Sequence, residues 1–400
     1  MHLPFVEVSL WEAALVLSLP LILEFPRVIA KCLALLYHNF SGRAERWELT
    51  GLPKVSVIVP AHNEGEVIED TIESLTGLAY ANKEIIVVDD NSTDDMYLKA
   101  KPYAARGEIV LVRKREPRSN KARAIMYGAK FASGEIVVCI DADTRVQRES
   151  LIKIIEPFSD PNVVGVAGNV RVYNTNSVLG KIQAYEYLLA MEMGRSFQSM
   201  IQVLLIIPGA FGAYRRGVME AIGGLDEDTI TEDFDYVLKL RKTGLKAVFA
   251  RNAIAWTVVP SSFRGWIRQR TRWAYGQLQT IVKHKDLLFN VRFGLKSMLS
   301  MVDMLFMDLL LIFIRSVWFL LLPFIFSGIP IWKLIALILG FYLILEFTQA
   351  VVSIVTSPRG KRELGYLALT PIMVLIYRPI YSVVRLTAYI REALGFEAKW

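Results

Sequence analysis

Acidic side chains in this 400-residue chain form three short stretches whose spacing suits phosphate and metal chemistry. They are DDNSTD at 89–94, DAD at 141–143 and TED at 231–233. In DAD, two carboxylates separated by one residue lie on the same side of an extended chain. Hard oxygen ligands without a nearby His or Cys motif suit Mg²⁺ or Mn²⁺, and Mg²⁺ commonly joins few carboxylates to substrate phosphates. Asp141 and Asp143 are therefore candidate metal ligands.

Each acidic stretch also has an ordinary structural explanation. A single Asp-x-Asp is most often a solvated turn, and Asp, Asn and Ser are common turn residues. Acidic residues are also enriched in the first turn of helices, which accounts for TED. The argument for a functional site therefore depends on the combination of motifs.

A fourth polar stretch, RQRTRW, begins at Arg268 and precedes a long apolar tail. On a helix, Gln269, Arg272 and Trp273 are spaced i, i+3 and i+4 and share one face. The guanidinium binds phosphate oxygens in a bidentate manner, and the indole offers a flat apolar surface to a ligand. Arg268 and Arg270 fall on other faces, where we expect charges that flank a membrane segment. An interfacial anchor remains the alternative role for Trp273.

The composition favours a membrane protein over other classes. The chain is 53% hydrophobic, which is too apolar for a wholly soluble protein. Its net charge of +7 fits either nucleic acid or an anionic bilayer, and the apolar tail favours the bilayer. Cys32 and Cys139 are far apart and the four His are scattered, so neither a disulfide framework nor a zinc site is indicated. Neither a P-loop nor a dinucleotide-binding glycine motif occurs.

The acidic motifs must be positioned by an α/β domain between Pro53 and about Arg292. Short apolar, β-branched runs end in polar residues and alternate with helical stretches, one of which Asn63 is expected to cap. The predicted strands are at 54–61, 83–90, 108–113 and 135–143. Parallel βαβ units collect ligands at the carboxyl ends of their strands, which is where the first two acidic stretches occur.

Apolar segments flank this domain on both sides. Val8–Phe25 is predicted to be a retained anchor, and Ser300–Phe326 and Ile331–Val355 are each predicted to span. Leu364–Ile390 is interrupted by Arg-Pro and a second Arg, so crossing, re-entrant and interfacial arrangements stay open. Charged residues within or near the spans indicate either a polar path or structural ion pairs.

Basic residues set the expected orientation in the membrane. Arg27, Lys31, Arg43 and Arg46 follow the first apolar segment, and three more basic residues lie in the loop at 357–363. The positive-inside rule therefore places the N-terminus outside and the α/β domain in the cytoplasm. The predicted divisions are an anchor and juxtamembrane helix at 1–48, a catalytic domain at 49–257, amphipathic interface helices at 258–296, and a transmembrane region at 297–400.

The motifs taken together, and in this order, resemble the membrane-embedded branch of glycosyltransferase family 2. The matching elements are VPAHNE, DDNSTD, NKARA, DAD, PGAFGAYRR, TED and QRTRW, within residues 52–290. This branch includes cellulose, chitin, hyaluronan and poly-N-acetylglucosamine synthases, and the arrangement of membrane segments most resembles the last group. The resemblance implies a GT-A α/β fold with a mixed, mainly parallel sheet, flanked by transmembrane and interfacial helices.

The resemblance also implies a role for each motif. Asp233 would be the general base, with Glu232 and Asp235 as neighbours that raise its pKa, and Asp143, helped by Asp141, would hold Mg²⁺ or Mn²⁺. The implied donor-binding residues are Pro60, Ala61, Glu64, Asp89, Asp90, Lys121, Asp141, Gln269 and Arg272. The implied acceptor-binding residues are Trp273, Gly209, Phe211 and Gly212.

The implied activity is inverting transfer from a UDP-sugar to a growing β-linked polysaccharide, coupled to its export through the plasma membrane. UDP-N-acetylglucosamine is the first choice of donor and UDP-glucose the second. A non-processive enzyme with a membrane-lipid acceptor is the main alternative, and a scaffold or transporter with a decayed catalytic domain is disfavoured by the intact acidic set. The implied partners are the acceptor and membrane lipids, not nucleic acid. Since four spans make a thin channel, a homo-oligomer or a small accessory subunit is also considered.

Overall fold

The computed structural model describes residues 8–42, 47–49, 51–114, 116 and 120–396. The chain divides into two compact units. The sheet unit comprises Glu45–Tyr187 and Gln198–Ser300, and the helical unit comprises Met1–Ala44, Leu188–Phe197 and Met301–Trp400. The short insertion of 188–197 into the helical unit has no counterpart in the sequence-based division. Arg43 and Arg46, used to predict orientation, lie outside the described residues.

One mixed eight-stranded sheet organises the sheet unit, in the order β3-β2-β1-β4-β7-β6-β8-β5. The strands are β1 Val55–Ala61, β2 Lys83–Asp90, β3 Val110–Lys114, β4 Ile136–Ile140, β5 Thr144–Val146, β6 Val163–Val172, β7 Phe211–Arg215 and β8 Lys246–Thr257. The first four strands in this order are parallel, whereas β7 is antiparallel to both of its neighbours. Apolar runs such as VSVIVPA in β1 are almost wholly buried, as expected where helices cover both faces of a sheet.

α-Helices occur in both units. In chain order they are α1 Leu10–Val16, α2 Phe25–Phe40, α3 Ile68–Thr76, α4 Met96–Ala105, α5 Lys121–Ala129, α6 Ser150–Ile155, α7 Val178–Leu189, α8 Ser196–Met200, α9 Arg216–Ala221, α10 Glu232–Thr243, α11 Phe263–Lys283, α12 Leu295–Asp303, α13 Leu311–Ile325, α14 Ile331–Thr356, α15 Thr370–Ile372 and α16 Arg378–Ala393. The functional motifs fall at strand ends or at the beginnings of α5 and α10, apart from PGAFGAYRR, which contains β7, and RQRTRW, which lies inside α11.

The predicted cap of α3 is wrong. The helix begins at Ile68 with Val67 in the cap position, four residues after the predicted cap at Asn63. Asn63 instead adopts a left-handed backbone (φ 56°), and its Oδ1 accepts a 2.8 Å hydrogen bond from the Thr93 amide. Asn tolerates this conformation because its short amide side chain bonds locally.

Within the described residues, three helical stretches are long and apolar enough to cross a membrane: Leu295–Ile325, Ile331–Thr356 and Gly360–Ala393. Two coincide with predicted spans, and the third includes the segment whose arrangement was left open. The N-terminal apolar segment is not one straight helix. It is bent by 72° between Leu10–Val16 and Pro20–Phe40, and the pair counts as a fourth candidate if it forms one broken span.

Candidate functional site

The ends of β1 and β2 bring the first predicted donor residues side by side. Ala61 pairs in register with Asp89, and Pro60 pairs with Val88. Both acids at the end of β2 are buried and face cations on β3. Arg113 Nε lies 3.0 Å from Asp89 Oδ2, and Lys114 Nζ lies 3.1 Å from Asp90 Oδ1. These ion pairs fix the position of two carboxylates at the edge of the sheet.

The loop that follows β1 is tied to the loop that follows β2. The Asn63 amide donates to Ser92 Oγ at 3.1 Å, and the Gly65 amide donates to Asp94 Oδ2 at 2.8 Å. Glu64, which lies between these two anchors, is half-buried. Burial, followed by the negative charges of the DAD and Asp94 carboxylates, raises the pKa of Glu64 to about 7. The predicted donor loop therefore lies at the same edge of the sheet as the DAD motif.

DAD occupies the link between β4 and β5 and is not itself part of a strand. Ala142 is buried, and its carbonyl accepts a 2.7 Å hydrogen bond from Thr71 Oγ1, whereas the two flanking carboxylates are half-buried. Asp143 Oδ1 accepts bonds of 3.2 Å from the hydroxyls of Thr144 and Thr257. Burial, and then the charge of Asp141, raises the pKa of Asp143 to about 6.

One lysine joins DAD to TED. Lys121 is the first residue of α5, and its ammonium forms an ion pair with Asp141 Oδ1 and lies 3.8 Å from Glu232 Oε1. Burial lowers the pKa of Lys121, but the two carboxylates outweigh it and raise the pKa above the ordinary value. Gly209 completes the contact, because a Cβ at this position would lie 2.6 Å from Lys121 Nζ. Motifs far apart in sequence thus converge on one ammonium group.

TED marks the beginning of α10, with Glu232 as the first helical residue. Asp233 Oδ1 accepts a 2.9 Å hydrogen bond from the Phe234 amide. Burial raises the pKa of Glu232, Lys121 opposes this shift, and the negative charge of Asp233 adds to it. Glu232, which faces Lys121, and Asp233, which accepts a hydrogen bond from the Phe234 amide, therefore lie next to each other at the N-terminus of α10.

The expectation that Asp235 tunes Asp233 is wrong, because its carboxylate is directed elsewhere. Asp235 is fully buried, and its Oδ1 lies 2.9 Å from both His284 Nε2 and Lys283 Nζ. Lys283 is the last residue of α11, and His284 is the residue after it. Asp235 therefore fastens α10 to α11.

A close backbone approach also joins TED to the helix of RQRTRW. A Cβ on Gly276 in α11 would lie 2.5 Å from Thr231 Cγ2, so only glycine fits without movement. The hydroxyls of Thr231 and Thr280 are 3.1 Å apart. Gly276 is one turn beyond Trp273, so this contact fixes the height of Trp273 relative to TED.

Arg270 does not flank a membrane segment as expected. Its side chain is fully buried and pairs with the Glu186 carboxylate of α7. Its Nη1 donates a 2.9 Å hydrogen bond to Gln269 Oε1, and its guanidinium carbon lies 4.1 Å from the centroid of the Trp273 ring. Arg268 is exposed, and its role as a charge that flanks a membrane segment stays a prediction.

The three residues of the predicted binding face of α11, Gln269, Arg272 and Trp273, differ in their exposure. Gln269 and Trp273 are half-buried, whereas Arg272 is exposed. Because Arg270 donates to the amide oxygen of Gln269, the amide NH₂ group remains as the donor. Arg270 therefore orients the side chain of Gln269 and leaves its NH₂ group available as a donor.

Two predicted acceptor residues lie in the buried core of the sheet unit and not at its surface. Phe211 has no exposed surface, pairs with Ile140 across β7 and β4, and packs its ring against Gly168. Gly212 is buried in the same strand, where a Cβ would lie 2.6 Å from Ile207 Cγ2. The alternation of side chains along β7 explains the error, since PGAFGAYRR was interpreted as a turn-like segment. Gly209 remains in the site through its approach to Lys121.

Sequence reasoning missed several residues of the site. Burial is the largest cause that raises the pKa of Tyr187 to about 12. The charge of Arg270 opposes this shift, and the charges of Glu186 and of the two DAD acids add to it. The other missed residues are Glu186, Thr257 and Arg270. No local pattern marks AYEY in α7 or the end of β8, because both read as ordinary core segments.

Asp141 and Asp143 are the candidate ligands of a divalent cation, and the carboxylate of Glu64 lies near them. In the described part of the chain, no group of three or more His, Cys, Asp or Glu side chains is arranged to hold a metal. However, burial first, and then the charges of the neighbouring acids, raise the pKa values of Asp143 and Glu64: Asp141 acts on Asp143, and both DAD acids act on Glu64. A cation at this position would relieve that repulsion. An ion held by two carboxylates and by substrate phosphates therefore fits these residues.

Residues 56–223 match the family model described as Glycosyl transferase family 2. Among curated proteins, the chain is 32% identical over 257 residues to poly-beta-1,6-N-acetyl-D-glucosamine synthase of Staphylococcus aureus (strain COL), covering 62% of each chain. The protein of the same name from Staphylococcus epidermidis is 32% identical over 230 residues, covering 57% of this chain and 56% of that protein. The chain thus spans less than two thirds of the length of these relatives.

A solved structure shares the fold over almost the whole chain. A mannosyltransferase from Pyrobaculum calidifontis, in complex with GDP-Man and Mn²⁺, aligns with a TM-score of 0.63 and 21% identity. The alignment covers 96% of this chain and all of that one. Together with the mixed eight-stranded sheet, this likeness confirms the predicted GT-A fold class.

Proposed function

We propose that this chain, whose residues 56–223 match the model of glycosyl transferase family 2, transfers a sugar from a nucleotide-sugar donor with inversion at the anomeric carbon. The observation that carries this proposal is the position of Lys121 between Asp141 of DAD and Glu232 of TED. A proposed phosphate-binding cation, a proposed metal ligand and the sequence neighbour of the candidate base are thereby joined in one cluster of contacts. Each of these groups has an ordinary structural explanation alone, but their convergence is what a sugar-diphosphate requires.

The donor nucleoside would bind at the ends of β1 and β2. Asp89 and Asp90, held by their cationic partners, would accept hydrogen bonds from the nucleoside, and Ala61 would contact it from the adjacent strand. Pro60 and Glu64 complete the predicted donor edge. Carboxylates that are already oriented bind a ligand without a further cost of ordering side chains.

The diphosphate would lie between Lys121 and α11. Lys121 supplies a point charge, Gln269 donates from its amide NH₂ group, and the exposed Arg272 is available for bidentate binding. Asp143, with Asp141, would hold Mg²⁺ or Mn²⁺. When bound, the cation supplies positive charge that stabilises the departing nucleoside diphosphate.

Asp233 is the proposed general base. It would remove the proton from an acceptor hydroxyl as that oxygen attacks the anomeric carbon and the bond to the diphosphate breaks. Glu232, whose carboxylate faces Lys121, would add negative charge next to Asp233 and favour its uptake of the proton. A single displacement of this kind inverts the configuration of the sugar.

The acceptor would stack on Trp273. The half-buried indole keeps one part of its surface accessible while Arg270 packs against the ring. Gly209 is assigned to the same region, because its lack of a side chain lets the Lys121 ammonium approach the backbone, where a Cβ would lie 2.6 Å from Nζ. Phe211 and Gly212 are not part of this proposal, because both are buried.

The relatives support the choice of sugar. They are named as synthases of a polymer of N-acetylglucosamine, so we propose UDP-N-acetylglucosamine as donor and a growing β-linked polysaccharide as acceptor. The apolar helices support a multi-pass protein of the plasma membrane. By the positive-inside rule, the catalytic domain is cytoplasmic and the N-terminus outside.

The test uses the full chain purified in lipid nanodiscs with Mn²⁺ or Mg²⁺. UDP release and product size are followed with UDP-N-acetylglucosamine and with UDP-glucose. Asp233→Asn is expected to lose at least 100-fold in turnover while UDP binding stays within about twofold. Asp286→Asn, which removes an exposed carboxylate paired with Lys242, is the matched control and is expected to retain full activity.

The products distinguish the remaining alternatives. A high-molecular-weight glycan supports the polysaccharide synthase, whereas one sugar on an extracted lipid assigns a lipid acceptor. Unchanged turnover in Asp233→Asn would remove this residue from the role of base. Binding of UDP-sugars without any turnover, under conditions where the control variants are folded, would contradict the catalytic proposal.

A further inference from the structure

The helical unit contains a cavity of about 770 Å³. This volume is within the range of small-molecule binding sites. Along Leu295–Ile325 and Ile331–Thr356, the lining residues recur every three or four positions, so each helix presents one continuous stripe to the cavity. The N-terminal segment and α16 complete the wall.

The wall changes from apolar to polar along the cavity. On α14, the five lining residues from Ile331 to Leu339 are all apolar, and those from Tyr342 to Gln349 are polar except for one leucine. On the preceding helix, the charged lining residues Asp308 and Arg315 both precede Phe319, and only apolar residues follow from Phe319 onward. Because residues 326–330 join the two helices, their apolar parts lie at the same end. At a rise of 1.5 Å per residue, each half of the α14 stripe is roughly 10 Å long.

Positive charge is in excess at the polar end. The cavity is lined by five cations, Arg27, Lys31, Arg315, Arg378 and Arg385, and by three carboxylates, Glu24, Asp308 and Glu346. Asp303, which pairs with Arg27 from outside the lining, brings the acids to four. Among these named groups, five cations outnumber four acids, which leaves one positive charge in excess.

Lys31 is the best candidate for the uncompensated charge. In the described part of the chain, no carboxylate lies within 4 Å of its ammonium, which instead lies 5.5 Å from the centroid of the Phe197 ring. The neighbouring cations are better matched, since Arg378 is 2.8 Å from Glu346 and Arg315 is 3.6 Å from Glu24. A cation among apolar helices is costly unless an anion neutralises it, so a ligand is the simplest explanation.

We propose that this cavity binds a lipid with an anionic phosphate headgroup. The headgroup lies at the polar end near Lys31, and the upper part of an acyl or prenyl chain lies along the apolar stripe of α14. The polar half leads toward the end of α14, where Arg359, Lys361 and Arg362 follow. Basic pockets between membrane helices at such an end bind anionic headgroups. An oligosaccharide fits less well, because its hydroxyls would lose their hydrogen bonds to water along the apolar half.

The test measures lipid binding by the full chain without any nucleotide sugar, so its outcome is independent of the proposed catalytic function. Delipidated protein in neutral detergent is titrated with phosphatidylglycerol and with phosphatidylcholine of identical chains, and retained lipid is counted by native mass spectrometry. Phosphatidylglycerol is expected to bind at least tenfold more tightly and to raise the Tm. Lys31→Gln is expected to weaken its binding about fivefold, which corresponds to about 1 kcal/mol.

Lys361→Gln is the matched control, because it removes the same charge from an exposed position in the loop. An equal loss in Lys361→Gln would assign the effect to surface attraction and overturn the cavity site. Equal binding of the two lipids would show that headgroup charge is irrelevant. Stabilisation by inorganic phosphate alone would assign a simple anion site. Binding of β-linked N-acetylglucosamine oligomers that is lost in Lys31→Gln would assign the cavity to a glycan.

Discussion

The guanidinium carbon of Arg270 lies 4.1 Å from the centroid of the Trp273 ring, and Arg270 has no exposed surface. A desolvated contact of a cation with an indole is worth about 2 kcal/mol. The same guanidinium binds Glu186 and the side-chain oxygen of Gln269. One buried arginine therefore orients both an anion-binding amide and a stacking surface, each of which is proposed to contact a different substrate.

Replacement of Arg270 by lysine should separate these roles. Lysine keeps a positive charge for Glu186 but lacks the planar fork that can bind Gln269 and stack on Trp273 at the same time. We expect Arg270→Lys to fold and to lose about tenfold or more in kcat/KM, with the larger effect on acceptor KM. Steady-state kinetics with varied donor and acceptor concentrations measure this difference.

Arg270→Gln leaves the Glu186 carboxylate, whose side chain is 12% exposed, without its cation. Breaking such a pair costs about 3–5 kcal/mol, so thermal unfolding should occur at a clearly lower temperature. Arg268→Gln removes an exposed charge two residues earlier and is expected to change neither stability nor kinetics. Wild-type acceptor KM in Arg270→Lys would show that the arginine serves packing only.

Gly276→Ala tests the contact between TED and α11. The new Cβ would lie 2.5 Å from Thr231 Cγ2, so either the helix or the TED segment must move. Overpacking of about 1–3 kcal/mol is partly offset by the gain of about 1 kcal/mol in helix propensity. A displacement near 1 Å can cost about 100-fold in rate, so kcat should fall far more than the Tm.

Gly217→Ala in α9 is the control, because a Cβ there meets no atom within 4 Å. It should keep full activity and slightly higher stability. Thr231→Ser removes the crowded methyl group and should partly restore activity in the Gly276→Ala background. Equal kcat in Gly276→Ala and wild type would mean that α11 tolerates a shift without consequence for the site.

Local patterns in the sequence predicted the ends of β1 and β2 and the acidic first turn of α10, because their hydrophobic runs and acidic residues are contiguous. The parallel strands β1, β2 and β4 could be anticipated in this way. The direction of β7 could not, since strand pairing depends on contacts distant in sequence. The helix period likewise assigned Gln269 and Trp273 to one face. It could not reveal that Arg270 is buried and forms an ion pair with Glu186 of α7.

The errors share a physical cause. Asp235 is adjacent to the candidate base in sequence, yet helix geometry directs its carboxylate to His284 and Lys283. Phe211 lies in a glycine-rich segment that resembles a loop, yet strand alternation turns its ring into the core. In both cases tertiary packing decided the role of a residue whose type alone suggested chemistry.

Glu64 should make the stability of the metal-free protein fall as pH rises. Its pKa in the folded protein, about 7, is above the ordinary value of 4.5, chiefly through burial and then through the nearby acids. Between these two values the folded state binds the proton more tightly than the unfolded state, so stability declines from about pH 4.5 to 7. Glu64→Gln removes this dependence.

The measurement is the Tm of wild type and Glu64→Gln, both in EDTA, at pH 5 and pH 8. Relative to the variant, wild type should be less stable at pH 8 than at pH 5. A constant difference between the two proteins across this range would indicate that the carboxylate is hydrated and has an ordinary pKa. Added Mn²⁺ should restore wild-type stability at pH 8 if the cation binds among these acids.

Asp143→Asn and Asp141→Asn should differ in their effect on metal binding. Asp141 is paired with Lys121, whereas Asp143 is bonded only to hydroxyls among the contacts described above. Removing Asp143 therefore takes away the carboxylate that is most available to a cation, and we expect Mn²⁺ affinity in the presence of UDP to fall about 10- to 100-fold. Removing Asp141 also leaves Lys121 with Glu232 as its remaining partner, so part of the loss should be offset by stronger binding of the diphosphate. Titrations of Mn²⁺ and of UDP, each with and without the other, measure both effects, and equal losses in the two variants would assign the carboxylates equivalent roles.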